Sequence, residues 1–159
     1  MLEFIKKNYK LVSPADGKTL ELSKVKDKVF SDKLAGDGIA IELQGDIIYS
    51  PVDGKLNVIF PTNHAFVITN KAGAEILVHI GIDTVLLKGE GFLRLKEEGE
   101  NVKIGDPIMK IDKKLIEGKG FSTMTILLVT NLDKFKILSY IVDKEVKAYK
   151  DVVLKFSKR

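Results

Sequence analysis

Cysteine is absent from the 159 residues of this chain. Its absence excludes disulfides, thiol catalysis and cysteine-ligated metals, and it fits a reducing compartment, so we expect a cytoplasmic protein. No apolar run approaches the roughly 18 residues of a membrane-spanning helix, and Met1–Lys7 lacks the long apolar region of a signal peptide. The length suits one domain, residues 1–159, in which residues 1–9 form a short N-terminal tail.

Dense basic runs are also missing, although 26 basic and 22 acidic residues give a net charge of +4. The lysines are interleaved with acids, and no basic run is longer than two residues, as at Lys113–Lys114 and Lys158–Arg159. This pattern predicts a solvated lysine-rich surface and no nucleic-acid partner. Neither a Walker A motif nor G-x-G-x-x-G occurs, so we expect no nucleotide site.

Helical periodicity is scarce, and period-2 alternation of apolar residues dominates. Short helical turns are predicted only near Lys113–Glu117 and Asn131–Ile137. The predicted strands are Gly17–Leu22, Ile39–Leu43, Lys55–Phe60, Phe66–Ile68, Glu75–Ile80, Ile108–Ile111, Ser122–Thr130 and Val152–Phe156. Many short strands separated by Asp-Gly turns predict an all-β fold, an antiparallel β-sandwich or flattened barrel.

Two short motifs recur along the chain. Ser13–Lys18 (SPADGK) returns as Ser50–Lys55 (SPVDGK), and Gly36–Ile39 (GDGI) is echoed by Gly105–Ile108 (GDPI). An internal duplication and turn chemistry alone both account for such repeats.

The two histidines of the chain flank a predicted β-hairpin. Asn70 and Gly73 occupy the first and fourth positions of a type I turn between two apolar runs. A loop symmetric about Lys71–Ala72 would place His64 directly opposite His79, with their Cβ atoms roughly 5 Å apart. Phe66 and Leu77 would come next on the same face, unless a one-residue bulge shifts the register.

A histidine pair suits two kinds of chemistry. In phosphoryl carriage, one neutral imidazole accepts the phosphoryl group and the second donates a hydrogen bond to its oxygens. Thr62, two residues before His64, would point to the same side and support that ring. In metal binding, His64 and His79 give half of a tetrahedral zinc site, so we expect no resident metal and at most adventitious zinc there.

The motif around both histidines closely resembles the glucose-type enzyme IIA family of the sugar phosphotransferase system. It comprises Thr62–Phe66 (TNHAF) and Glu75–Val85 (EILVHIGIDTV), and it continues through Leu87–Phe92 (LKGEGF). The resemblance extends over residues 10–155 and implies a phosphocarrier domain. It implies that His79 carries the phosphoryl group on Nε2, that His64 stabilises that group, and that Thr62 orients His64.

The resemblance also implies a partner-binding surface. Asp27 and Asp83 match acids that meet arginines on partner proteins. An apolar patch around the histidines comprises Phe30, Leu34, Phe60, Leu77 and Val85. The implied phosphoryl donor is HPr and the implied acceptor is a cysteine in the IIB domain of a sugar permease, with no cofactor. We expect a monomer that reaches the membrane only through the permease. Whether the unphosphorylated form regulates other proteins, as some relatives do, stays open.

The sequence allows two other interpretations. The spacing His79-x-x-x-Asp83 occurs in a class of zinc peptidases, but these also need a later His-x-His, and no histidine follows His79. A biotinyl or lipoyl carrier would modify a lysine at an exposed hairpin tip, whereas its candidate here, Lys110, lies within a strand pattern.

Overall fold

Alternating apolar and polar residues form strands along most of the chain. The structure is a computed structural model, and it describes residues 7–159. Its strands are β1 (Asn8–Val12), β2 (Gly17–Glu21), β3 (Asp37–Leu43), β4 (Ile47–Tyr49), β5 (Gly54–Ile59), β6 (Ala65–Thr69), β7 (Glu75–Ile80), β8 (Phe92–Arg94), β9 (Asn101–Val102), β10 (Pro107–Ile111), β11 (Thr125–Val129), β12 (Phe135–Tyr140), β13 (Glu145–Val146) and β14 (Val152–Lys158). The helices are α1 (Lys28–Ser31), α2 (Lys113–Gly118) and the short 3₁₀ helices Leu22–Lys24 and Thr84–Leu87.

Three antiparallel sheets enclose the core. The largest has the order β13-β2-β3-β11-β7-β6-β5-β9, and two three-stranded sheets have the orders β1-β14-β12 and β4-β10-β8. The predicted all-β antiparallel sandwich with short helices is therefore confirmed. Within residues 7–159, no helix has the length and apolar character needed to cross a membrane.

The eight-stranded sheet has two apolar faces. Side chains such as Ile39, Val78 and Leu127 point into the main core between the sheets. The alternate positions, including Leu77 and Ile126, form a smaller cluster on what we call the outer face. Because successive side chains of a strand alternate in direction, each central strand contributes to both clusters. The outer face carries the candidate site.

The Ser13 and Ser50 repeats form a structural duplication. Each serine is buried and donates its hydroxyl to the carbonyl two residues later, at 2.6 Å for Ser13 and 2.7 Å for Ser50. The two copies also bond to each other, because Val12 N donates to Pro51 O and Tyr49 N to Pro14 O. Counted inward from either edge, the eight-stranded sheet has a two-residue strand, then the strand that begins at the glycine of one repeat, then the next strand in the chain: β13, β2 and β3 from one edge and β9, β5 and β6 from the other. This correspondence confirms the duplicated motif.

The second sequence echo has a different structural counterpart. Gly105 N donates to Ser50 O at 3.2 Å, and the equivalent bond to Ser13 O comes from Tyr149 N at 2.8 Å. In the duplication, the segment around Gly105 therefore corresponds to the segment around Tyr149 and not to Gly36–Ile39, so the likeness between the two short motifs reflects turn chemistry.

Two local predictions differ from the structure. The predicted helical turn over Asn131–Ile137 is wrong beyond Lys134, because β12 begins at Phe135, whose ring is buried in the main core. The N-terminal tail predicted for residues 1–9 already forms β1 from Asn8, and residues 1–6 lie outside the described part. In both places tertiary pairing overrides the local pattern.

Candidate active site

The hairpin between β6 and β7 has a register one residue away from the predicted one. Gly73 has φ of +92°, and Asn70 pairs with Ala74 through an N–H···O bond of 3.0 Å. The turn is thus of type I followed by a glycine bulge, which adds one residue to the second strand. As a result Ala65, not His64, lies opposite His79, and Phe66 points into the main core instead of lying beside the histidines.

His64 reaches the outer face through the turn that precedes β6. Asn63 has a left-handed φ of +61°, and its N–H donates to Phe60 O at 2.7 Å. The chain therefore reverses just before His64, whose carbonyl accepts from Ile80 N at 2.7 Å. The imidazoles of His64 and His79 lie with their centroids 4.9 Å apart and their planes at 84°. The predicted pair forms by a different route from the one expected.

Thr62 contacts His64 directly. Its Oγ1 lies 2.7 Å from His64 Nδ1, across the turn and not along an extended strand as predicted. His64 is only 4% exposed, and this burial, followed by the nearby His79, lowers its pKa to about 4. The ring is therefore neutral at pH 7. When Thr62 donates to Nδ1, the His64 proton lies on Nε2, which becomes a hydrogen-bond donor.

The proton position on His79 follows from its partner. Its Nδ1 lies 2.8 Å from the carbonyl oxygen of Gly81. Because a carbonyl can only accept, the proton is on Nδ1 and Nε2 carries a free lone pair. Burial lowers the pKa of His79, although the bond to Gly81 and the charges of Asp27 and Asp83 oppose this shift. His79 is thus a neutral imidazole with a nucleophilic Nε2.

The backbone conformation at position 81 requires glycine. Its φ is +83°, and a Cβ there would lie 2.4 Å from Thr84 Cγ2 and 2.7 Å from Ser122 O. Only glycine fits this combination of positive φ and close packing. The loop can therefore bring the Gly81 carbonyl back to the ring that precedes it by two residues.

Both predicted acids lie close enough to His79 to affect its charge. Asp27 caps α1, where its carboxylate accepts from Val29 N at 2.9 Å. Asp83 has φ of +60° and precedes the 3₁₀ helix Thr84–Leu87, and its side chain is exposed and does not cap that helix. Asp83 is therefore available to a partner, and Asp27 is partly engaged by its own helix.

Apolar side chains flank the two rings. The ring of Phe30 lies 4.8 Å from that of His79, and the ring of Phe60 lies 5.4 Å from that of His64. Of the other predicted patch residues, Leu77 is buried in the outer-face cluster. Leu34 and Val85 are 73% and 49% exposed.

The sequence interpretation missed two apolar side chains beside these residues. Val29 precedes Phe30 in α1, and Leu86 follows Val85 in the 3₁₀ helix; both are exposed, Leu86 to 67%. An apolar residue in a short non-strand segment was the only sequence signal for either. Both are exposed apolar side chains next in sequence to residues of the predicted patch, and exposed apolar surface of this kind is typical of interaction sites.

The residues of the two alternative readings do not assemble in this way. Within residues 7–159, no three histidine, cysteine or acidic side chains come together as a metal site. Lys110 is exposed but lies inside β10, the middle strand of its sheet, and not at a hairpin tip.

Comparisons with known proteins identify the family of the chain. Residues 9–135 match the family described as phosphoenolpyruvate-dependent sugar phosphotransferase system, EIIA 1. The chain is 46% identical to the glucose-specific EIIA component of Haemophilus influenzae, covering 89% of this chain and 85% of that protein. It is 40% identical to the glucose-specific EIICBA component of Staphylococcus carnosus, over 89% of this chain and 21% of that protein.

A solved structure shares the fold as well as the sequence. The glucose permease IIA of Mycoplasma capricolum superimposes with a TM-score of 0.89 and 39% identity, covering 96% of this chain and 97% of that one. Both the sequence and the fold of this chain match such proteins over most of its length. The chain belongs to the EIIA family of the phosphoenolpyruvate-dependent sugar phosphotransferase system.

Proposed function

We propose that this protein is a phosphocarrier that accepts a phosphoryl group from phospho-HPr on His79 Nε2. It then passes the group to the IIB cysteine of a glucose-type sugar permease. The observation that carries the proposal is the bond between His79 Nδ1 and the Gly81 carbonyl, beside a second imidazole. That bond leaves Nε2 unprotonated and fixes the ring for attack on phosphorus.

The first transfer needs no proton movement at His79. The Nε2 lone pair forms a bond to phosphorus while the bond between phosphorus and the donor histidine breaks, and the Nδ1 proton stays on Gly81 O. In the second transfer a cysteine thiolate attacks the same phosphorus, and the electron pair of the breaking bond returns to Nε2. Since both steps are in-line displacements, catalysis consists mainly of positioning.

His64 and Thr62 supply the stabilising group. With Nδ1 held by the Thr62 hydroxyl, His64 can donate from Nε2 to a phosphoryl oxygen. The flanking rings of Phe30 and Phe60 limit access of water, which would otherwise hydrolyse the phosphohistidine. No metal is required in this scheme.

The surface around the pair would bind donor and acceptor in turn. Leu34, Val85 and Leu86 offer an apolar contact, and Asp83 offers a charge that complements a basic partner. Relatives named EIICBA components, in which this chain matches about a fifth of the length, support a IIB acceptor. We propose that residues 1–159 act as one domain in the cytoplasm.

Reconstitution tests the proposal. Incubated with radiolabelled phosphoenolpyruvate, enzyme I and HPr, the wild-type protein should gain one acid-labile phosphate, and peptide mapping should place it on His79. His79→Gln should abolish labelling. His64→Gln should still accept phosphate but transfer it poorly to a IIB domain. Labelling of His79→Gln, or loss of acceptance in His64→Gln alone, would contradict these assignments.

A further inference from the structure

Arg94 contacts the turn that carries the candidate site, although it lies far from that turn in sequence. Its Nε donates to Asn63 Oδ1 at 2.6 Å. Asn63 lies between Thr62 and His64, so the guanidinium binds the residue that joins the two site side chains. Arg94 is one of only two arginines in the chain, since the other 24 basic residues are lysines.

The contact joins two sheets. Arg94 ends β8, where it pairs with the buried Met109 of β10 in a three-stranded sheet. Asn63 lies in the loop between β5 and β6 of the eight-stranded sheet. The second contact of the guanidinium, to the exposed Glu97, is longer at 3.8 Å. The backbone of Arg94 thus belongs to one sheet, and its guanidinium bonds to a loop of the other.

The chemistry of the contact fixes the orientation of the Asn63 amide. A guanidinium has only donors, so the amide oxygen of Asn63 must face it. Asn63 also has a left-handed φ of +61°, a conformation that asparagine tolerates but does not prefer over extended backbone. A directional bond from a planar group stabilises that conformation more than a mobile lysine would.

We propose that Arg94 is a positioning residue for the phosphoryl relay. It holds Asn63 in the left-handed turn that sets Thr62 Oγ1 against His64 Nδ1, and so presents His64 Nε2 toward the phosphoryl group. This inference rests on the proposed function. Arg94 does not touch the reacting atoms, and its effect passes entirely through His64.

Transfer kinetics give the first test. Arg94→Met keeps most of the side-chain length but removes the guanidinium. We expect it to accept phosphate on His79 normally and to slow the onward transfer rate by about tenfold, without changing the concentration of IIB that gives half-maximal rate. Arg94→Lys should recover only part of the rate, because it restores charge without the planar donor. Arg159→Lys, the matched change at the other arginine, should transfer at the wild-type rate.

A double substitution separates positioning from general structural support. If Arg94 acts through His64, Arg94→Met should cause no further loss of onward transfer in a His64→Gln background. A further tenfold loss in that background would overturn the inference, because it would mean that Arg94 acts by another route. Asn63→Gly provides a second variant: it accepts positive φ without strain but lacks the acceptor, and it should show the same defect as Arg94→Met.

Ring nitrogen spectra test the inference without the relay. In wild type, ¹⁵N NMR should show one fixed tautomer of His64, and Arg94→Met and Asn63→Gly should shift its two nitrogen signals toward a mixture. Unchanged His64 signals in both variants would refute the role of Arg94, whether or not the protein carries phosphate. A wild-type protein that is never phosphorylated on His79 would instead refute the proposed function.

Discussion

Acid should destabilise the protein through His64. Its pKa is about 4 in the folded protein, against 6.5 for a free imidazole, mainly because the ring is buried and secondarily because His79 is close. Between those two values the unfolded chain binds more protons than the folded one. The free energy of unfolding therefore falls as the pH is lowered from about 6.5 to about 4, and the contribution of His64 is fully present above that range.

The magnitude follows from the size of the shift. A change from 6.5 to about 4 corresponds to about 3 kcal/mol, at roughly 1.36 kcal/mol for each pKa unit. For a chain of 159 residues, that is a fall in melting temperature of at most about 6–12 °C. Carboxylates that titrate below pH 5 add their own effect, but they add it equally to a variant that lacks the imidazole.

The assay compares thermal or urea unfolding of wild type and His64→Gln from pH 7.5 to pH 4.5. We expect the wild-type stability to fall more steeply, and the difference between the two slopes to appear between the two pKa values. NMR titration should give a His64 midpoint far below 6.5. His79→Gln removes only the lesser cause, so most of the His64 shift should remain. Parallel stability profiles for wild type and His64→Gln, or a His64 midpoint near 6.5, would refute the reasoning.

Three further substitutions test separate parts of the site. Thr62→Val should slow onward transfer by about tenfold, whereas Thr62→Ser should transfer at the wild-type rate, because only serine keeps the hydroxyl beside the imidazole. Equal rates for the two variants in a rapid-quench transfer assay would contradict this. Gly81→Ala should lower stability by about 1–3 kcal/mol, since alanine is strained at φ of +83°, and unchanged urea unfolding would exclude that strain. Leu86→Ser should weaken the binding of HPr, measured by calorimetry, without lowering the melting temperature. The control Leu138→Ser, at another exposed leucine, should bind HPr normally. Equal binding by both variants would argue against the proposed surface.

The sequence predicted eight of the fourteen strands of the described residues, but not the exact register of the hairpin between β6 and β7. The turn residues Asn70 and Gly73 were correctly read, yet the prediction treated the loop as symmetric. Gly73 takes a positive φ and inserts a bulge, which shifts every pair of the hairpin by one residue. Such a bulge depends on how the following strand is pulled into the sheet, so turn composition alone does not fix it.

The histidine pair was predicted for an incorrect reason. Opposition across the hairpin would have placed the rings together, but the shifted register removes that opposition, and the left-handed turn at Asn63 restores the proximity. The contact of that turn with Arg94 has no local sequence signature, because Arg94 ends a strand of one sheet and Asn63 lies between two strands of another. Likewise, the exposure of Leu86 depends on how the 3₁₀ helix Thr84–Leu87 lies against the sheet, and the periodicity of the sequence does not predict that placement.

The duplication explains why the scaffold supports only one such site. In the half of the eight-stranded sheet that contains β6 and β7, Ala65 pairs with His79. At the equivalent position of the half that contains β3 and β11, Gly38 pairs with Leu128. Residues 22–36, which include α1, connect β2 to β3 and pack over Leu128, which is fully buried. The equivalent connection between β5 and β6 is the short turn at residues 60–64. One half of the outer face is therefore covered by its own connection, whereas the other has only a short turn above it, which leaves His79 partly exposed and His64 buried. The chemistry of the site thus depends on the Asn63 turn and on the uncovered half of the sheet together.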